Sequence, residues 1–183
     1  LFFQPAEETF YGAQSIVDKG HLDDVMNFIA VHIALSAENK PLPSHTVACG
    51  CRDFLSDRQL DVYLEGRAAH PCGASQEGRN ALLAACSAAL NIHVGEIHAG
   101  VCANTIAPNA MMRIEYRGQY PEISAYAGKR IFDILDGTAK AYGLTYHYVD
   151  YGEVPAGASD PAMMEIIQRA AKKVPWFETV YFE

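Results

Sequence analysis

The chain has 183 residues, half of them hydrophobic and a fifth charged, with a formal net charge of −8. An apolar half with 10% aromatics builds a real core, which excludes wholesale disorder. The acidic balance argues against nucleic acid or an anionic membrane as partner, since both need faces rich in Lys and Arg.

The longest apolar run, Phe28 to Leu35, is interrupted by His32. A bilayer span needs roughly 20 apolar residues, so no transmembrane helix is expected. No basic segment with a cleavage site opens the chain. It starts at Leu1 without an initiator Met and runs at once into an apolar stretch, which suggests a piece of a longer protein. The five cysteines are Cys49, Cys51, Cys72, Cys86 and Cys102. The number is odd and no CxxC occurs, which fits free thiols in a reducing compartment, hence a cytoplasmic location. Cys49 and Cys51 read as structural, buried thiols.

In chain order, Leu1 to Phe3 reads as a buried strand stopped by Pro5. Thr9 is placed to cap a helix through Val17 that Gly20 ends. Phe28 to Ile33 reads as a second strand, and residues 36–53 as irregular. Leu60, Val62 and Leu64 alternate with Asp61, Tyr63 and Glu65, the pattern of a half-buried strand. An Ala/Leu-rich helix follows over 77–94. Val101 to Ala107 reads as a strand, and Pro108-Asn109 as a turn. Ala110, Met112, Ile114 and Tyr116 alternate again. Ile123, Ala127, Ile131, Ile134, Leu135 and Thr138 recur at helical spacing, with Gly143 as stop. Leu144 to Tyr151 is a last strand, and a helix begins after Asp160-Pro161.

The order from 54 to 151 is therefore β-α-β-β-α-β, the ferredoxin-like pattern of an antiparallel sheet covered on one face by two helices. The simplest organisation is an α+β chain in which 54–151 is inserted into an α/β domain made of 1–53 and 152–183.

Several residues invite chemistry. Glu7 and Glu8 follow the first strand, where ligands gather in α/β sheets. One carboxylate there can bind a divalent metal and the other take a proton from water; the plainer reading is acids favoured at a helix start. His32 is either a hydrogen-bonded core histidine or a metal ligand near the end of a neighbouring parallel strand. His70 follows Gly66-Arg67-Ala68-Ala69, and as easily has no role. Asn104 and Arg117 lie on consecutive strands, so their side chains are placed to approach one another on the face away from the helices. Arg117 then holds a carboxylate with its planar fork, or lies on a solvated sheet face.

The combination of these motifs supplies the context. Phe3-Gln4-Pro5-Ala6-Glu7-Glu8 resembles a signature of the aminoacylase and carboxypeptidase-G-type dinuclear metallo-amidohydrolases, a metallopeptidase family. The resemblance continues through Gly12-Ala13, Gly20-His21-Leu22-Asp23, Ala30-Val31-His32, Gly66-Arg67-Ala68-Ala69-His70, Gly78-Arg79-Asn80-Ala81-Leu82, Asn104-Thr105-Ile106-Ala107-Pro108 and Arg117. It covers nearly the whole chain in order and spacing. The stretch from Arg79 to Ala85 is most similar to the A-type branch of the p-aminobenzoyl-glutamate hydrolases.

The resemblance implies a lid or dimerisation domain over 54–151, set in a partial zinc-peptidase-like catalytic domain. It implies cleavage of the amide between an acyl or aroyl group and an amino acid, as in p-aminobenzoyl-glutamate, with N-acyl-amino-acid deacylase or dipeptidase as the neighbouring activities. Glu7 matches the general base, and Glu8 and His32 match ligands of a centre of two divalent metal ions, zinc or manganese. His70 matches the lid histidine that steadies the oxyanion in the site of the other protomer. Asn104 matches a residue contacting the reacting centre, and Arg117 the clamp for the substrate carboxylate. A homodimer through the lid is implied, and the A-type branch adds a second, homologous type of polypeptide to the partners. A reading from another class is a non-catalytic dimerisation and ligand-binding module, for which the Glu7-Glu8 pair and His32 would be superfluous.

Two departures stand out: Ser75 replaces a Pro common in relatives, and the family's upstream His/Asp/Cys motifs and distal histidine are absent. With so few ligands, these 183 residues alone should bind zinc or manganese weakly and turn nothing over. Calorimetric titration checks this, and tight stoichiometric uptake of two ions would overturn it.

Overall fold

Leu60, Val62 and Leu64 are buried on one side of an extended segment, while Asp61, Tyr63 and Glu65 project from the other. This period-two alternation makes Ser56–Glu65 a strand with one apolar face. The computed structural model describes residues 1–6, 11–32, 36–37, 40–51 and 53–181. In chain order its elements are α1 (Tyr11–Asp18), β1 (Ser36–Ala37), β2 (Lys40–Pro41), β3 (Thr46–Ala48), β4 (Ser56–Glu65), α2 (Ala81–Ala89), β5 (Glu96–Ala99), β6 (Asn109–Gly118), α3 (Pro121–Tyr142), β7 (Thr145–Val154), α4 (Pro161–Ala171) and β8 (Thr179–Tyr181). They fall into two units: Leu1–Phe54 with Gly157–Glu183, and Leu55–Ala156.

The second unit is a four-stranded antiparallel sheet in the order β5-β6-β4-β7. With α2 and α3 this is the β-α-β-β-α-β arrangement expected. The helices cover the face formed by Leu60, Val62, Leu64, Ala110, Met112 and Ile114. Each such large aliphatic side chain contributes about 1.5–3 kcal/mol when fully buried. Helix α2 turns Ala81, Ala84, Ala85 and Ala88 inward, so its backbone comes close to the sheet. Helix α3 contributes Ile131, Leu135 and Ala139 and packs Gly128 against Tyr116. Both helices are bounded by local chemistry. Asn80 accepts the Leu83 N–H at 3.1 Å, Pro121 occupies the first turn of α3, and Gly143 ends it in the left-handed region at φ 65°.

Three expectations shift. The strand expected over 101–107 lies at Glu96–Ala99. Gly100, at φ 80°, turns the chain away, and the backbone beyond it bonds elsewhere: Ile106 N–H to Ala69 O and Ala81 N–H to Ala107 O, each at 2.9 Å. The helix expected over 77–94 is confined to Ala81–Ala89, because Asn80 caps it. In the first unit, Leu1 to Phe3 and the described part of Phe28 to Ile33 are not strands. A strand needs neighbours for its backbone groups, and neither run is paired into a sheet among the described residues; instead the Phe2 and Phe28 rings lie 6.3 Å apart. Thr9 lies outside the described residues, whereas Gly20 does end α1, at φ 71°.

The first unit holds a parallel pair, β3 with β8, where the sequence suggested irregular chain. Asp160 caps α4 by accepting the Met163 N–H at 2.9 Å, and Met164 and Ala171 are buried. Cys49 is buried, and that burial raises its thiol pKa; Cys51, by contrast, is exposed and donates to Asp53 O at 3.3 Å. Among the described residues no helix is long and apolar enough to cross a membrane.

The sheet's second face is polar and knitted by charge. Arg113 donates to Asp61 Oδ1 at 2.8 Å and Oδ2 at 2.9 Å, and to Glu96 at 2.9 Å. Tyr151 adds its hydroxyl to Asp61 at 2.9 Å, and only 3% of the Asp61 side chain is exposed. The Arg113 bonds, seconded by Tyr151, hold the Asp61 carboxyl below its ordinary pKa against the opposing effect of burial. Asp61 therefore stabilises the fold fully above about pH 4, its unfolded value, and this is lost as pH falls through the lower folded value. Asp61→Asn should cost about 1.5–3 kcal/mol at neutral pH. Urea unfolding should show the variant and parent stabilities converging on acidification, and a loss independent of pH would exclude an ionised Asp61.

Candidate functional site

The second unit places His70, Asn104 and Arg117 through two loops and one strand. Beyond β4, the chain leaves the sheet with Gly66 N–H bonded to Pro108 O at 2.6 Å. Arg67 and Arg79 then exchange both backbone hydrogen bonds, at 3.0 and 2.9 Å, and so close a loop over 67–79. Arg67 also pairs with Glu77 across the loop at 2.8 Å. His70 is exposed in this loop, and its Nδ1 accepts the Cys72 N–H at 3.3 Å. An accepting Nδ1 assigns the neutral ring's proton to Nε2, which then donates outward.

Asn104 lies in the loop between β5 and β6, not on a strand. The Ala69–Ile106 bond ties this loop to the one carrying His70. Gly78 lies against Ile106, where a Cβ would meet Cδ1 at 2.5 Å, so a side chain there would wedge the loops apart. The Cys102 thiol donates to Asn104 Oδ1 and to Thr105 Oγ1, both at 3.2 Å. With Oδ1 so engaged, Asn104 turns its NH2 group to donate. A groove of about 530 Å³ runs beside the two loops, lined by Pro71, Asn80, Val101, Cys102, Thr105 and Ile106 among others.

Arg117 is on the face away from the helices, as its position in the alternation predicts. It is held by two carboxylates, Asp57 directly across the ladder at 3.0 Å and Glu115 on its own strand at 2.8 Å. Asp57 and Glu115 carry no signal in the linear sequence, because their meeting with Arg117 depends on strand register. The expected approach of Asn104 to Arg117 does not occur. Asn104 precedes Asn109, the first residue of β6, and Arg117 stands at the strand's other end. At about 3.3 Å per residue those ends are roughly 26 Å apart. One copy of the unit thus gathers His70 and Asn104 at one end of the sheet and Arg117 at the other.

In the first unit His32 is exposed in irregular chain. Glu7 and Glu8 lie outside the described residues; the residue before them, Ala6, turns through the left-handed region at φ 53°. Among the described residues no three or more His, Cys, Asp or Glu side chains gather as a metal-holding group.

No protein-family model matches the chain. It is 34% identical to indole-3-acetyl-aspartic acid hydrolase of Enterobacter agglomerans, across 97% of this chain and 43% of that protein. It is also 34% identical to the A-type polypeptide of p-aminobenzoyl-glutamate hydrolase from Escherichia coli strain K12, across 95% of this chain and 42% of that one. The crystal structure of an aminobenzoyl-glutamate utilization protein from Klebsiella pneumoniae matches with a TM-score of 0.81 at 35% identity, covering 97% of this chain and 47% of that one. A dinuclear metal-binding peptidase of the M20 family from Bacillus subtilis shares the fold, with a TM-score of 0.64 at 21% identity, over 98% of this chain and 47% of that one.

A-type p-aminobenzoyl-glutamate hydrolases and related amidohydrolases are thus among the close homologues of this chain. The chain spans less than half the length of each of these relatives. The ferredoxin-like second unit fits the lid of the M20 peptidase fold.

Proposed function

We propose that the whole protein is a metal-dependent M20 amidohydrolase that cleaves the amide between an acyl or aroyl group and an amino acid with a free carboxylate, p-aminobenzoyl-glutamate being the model substrate. The observation that carries this reading is identity of 34% along nearly the entire chain to hydrolases whose names specify two such amides. A bound pair of divalent ions supplies Lewis acidity and an acidified water in such chemistry; Glu8 and His32 are the proposed ligands from this chain. Glu7 takes the water's proton and returns it to the leaving amine. His70 presents its Nε2–H to the developing oxyanion, and the Asn104 NH2 supports the same centre. Arg117 meets the substrate carboxylate from its place between Asp57 and Glu115. Five thiols outside any disulfide support a reducing, cytoplasmic setting.

The separation of Arg117 from His70 and Asn104 favours a homodimer. Strand β5 is a sheet edge, and beside it lie exposed Leu82, Leu83, Leu90 and Ile97. Twofold pairing of β5 with its copy in an antiparallel sense would join the two sheets into one. Reversing the strand direction brings Arg117 of one copy to the same end as His70 and Asn104 of the other. One site then draws on both lids, and neither copy is complete alone.

Two measurements test this reading. The whole protein should hydrolyse p-aminobenzoyl-glutamate faster than a simple N-acyl amino acid, and a chelator should abolish the activity. Glu7→Gln should lower kcat by a factor of about 10² to 10⁴, and Arg117→Ala should chiefly raise KM. Cleavage indifferent to both Glu7→Gln and chelator would refute the mechanism. For the dimer, Leu83→Glu should give a monomer in sedimentation, with Cys86 on the same helix becoming more reactive toward a thiol reagent. A Leu83→Glu protein that stays dimeric, with Cys86 unchanged, would place the interface elsewhere.

A further inference from the structure

Arg79 has no part in the chemistry above, yet three features converge on it. Its backbone closes the base of the loop over 67–79 by the paired bonds to Arg67. Its Nη1 donates to Gly78 O at 2.9 Å and to Gln76 O at 3.3 Å, both on the returning arm of that loop. The rest of its side chain lies against Gly143, where a Cβ would stand 2.8 Å from Arg79 Nε and 3.1 Å from Cδ. Gly143 is the C-cap of α3, the long helix whose Ile131, Leu135 and Ala139 are part of the core. The carboxyl end of a helix carries unpaired carbonyls and partial negative charge, which favours a guanidinium beside it.

Within the loop, His70 O accepts from Gly73 and Ala74, and the Arg67–Glu77 pair closes it at the surface. Toward the rest of the unit it is tied by the Ala69–Ile106 bond and by Gly78 against Ile106, while His70, Pro71, Cys72 and Gly73 are exposed. A surface ion pair such as Arg67–Glu77 holds weakly. The Arg79 side chain, also exposed, spans from loop carbonyls to the end of a core helix.

We propose that Arg79 is a positioning residue for His70, fastening the loop that carries the imidazole to the C-terminal turn of α3. The inference rests on the proposed role of His70 for its effect on turnover, but its structural content stands independently. A lysine would keep the charge and lose the planar guanidinium that lies against Gly143 while its Nη1 reaches both carbonyls.

The test labels the histidines with ¹⁵N and follows the His70 ring nitrogens by NMR, using the full chain. In the parent, Nδ1 and Nε2 should report a single Nε2–H tautomer at high pH. Arg79→Ala should move both signals toward the average of the two tautomers. Gly143→Asn provides the second variant, since Asn accepts a left-handed backbone while its Cβ displaces Arg79; it should reproduce the shift. Unchanged His70 signals in both variants would overturn the proposal.

In the whole protein, Arg79→Ala should lower kcat about ten- to a hundredfold, with KM little changed. Combined with His70→Ala, it should add no further loss, because a residue that acts through His70 has nothing left to position. An equal loss in both backgrounds would show a merely structural role and defeat the proposal. If His70→Ala alone leaves kcat unchanged, the catalytic reading of His70 fails, and the NMR result still decides whether Arg79 positions the ring.

Discussion

Strand β4 is hydrogen-bonded on both sides, to β6 and to β7, and the second unit is organised around that double pairing. The register sets which residues share a row. It brings Asp61 opposite Arg113, Asp57 opposite Arg117, and Leu60 opposite Ile114. A slip of one residue would turn Leu60, Val62 and Leu64 away from the helices and put Asp61 among them, a loss on both faces at once. The two ends of this strand are also the two ends of the candidate site. The loop with His70 leaves its C-terminal end, and Asp57, near its start, holds Arg117.

The two faces of the sheet are stabilised differently. On the helical side, alanines of α2 and the small residues of α3 allow close approach, so dispersion and burial are gained over much of both helices. On the other side, Asp61 is taken out of water by partners from β6 and β7. A buried carboxylate is tolerated there because a guanidinium meets both of its oxygens and a hydroxyl supplies a third bond. With Glu96 of β5 also bonded to Arg113, the network spans four strands and resists slippage where apolar packing is absent. It also leaves the polar face built from directional bonds, which suits a surface meeting polar ligands.

The candidate site was legible in kind more than in arrangement. His70, Asn104 and Arg117 stand out in sequence through the family motifs that hold them. Their distribution does not. Asn104 and Arg117 read as close when two strands and a tight turn are placed between them. Gly100 instead turns the chain out of β5, and the segment that follows spends its backbone groups on the His70 loop and the start of α2. The partners that set each side chain, the Cys72 N–H for His70 and Cys102 for Asn104, come from local chain geometry that no pattern of residue types encodes. Glu7 and Glu8, the strongest chemical signal in the sequence, lie outside the described residues.

Taken alone, the sequence determined the order of elements in the second unit and which side of β4 and β6 enters the core. Alternation at period two and recurrence at helical spacing are consequences of backbone geometry, so they can be read without knowing what packs against what. It also determined two helix ends, because Asp160 and Gly143 act on backbone groups within a few residues, whereas the cap at Asn80 was not read from it. Tertiary structure alone decided that the apolar runs at Phe28 and Leu1 are not strands, since backbone hydrogen bonds in a sheet belong to neighbouring chains of residues and not to the run itself. It alone decided that Arg117 stands a strand's length from His70 and Asn104, because distance across a fold is set by register and by where a loop leaves the sheet.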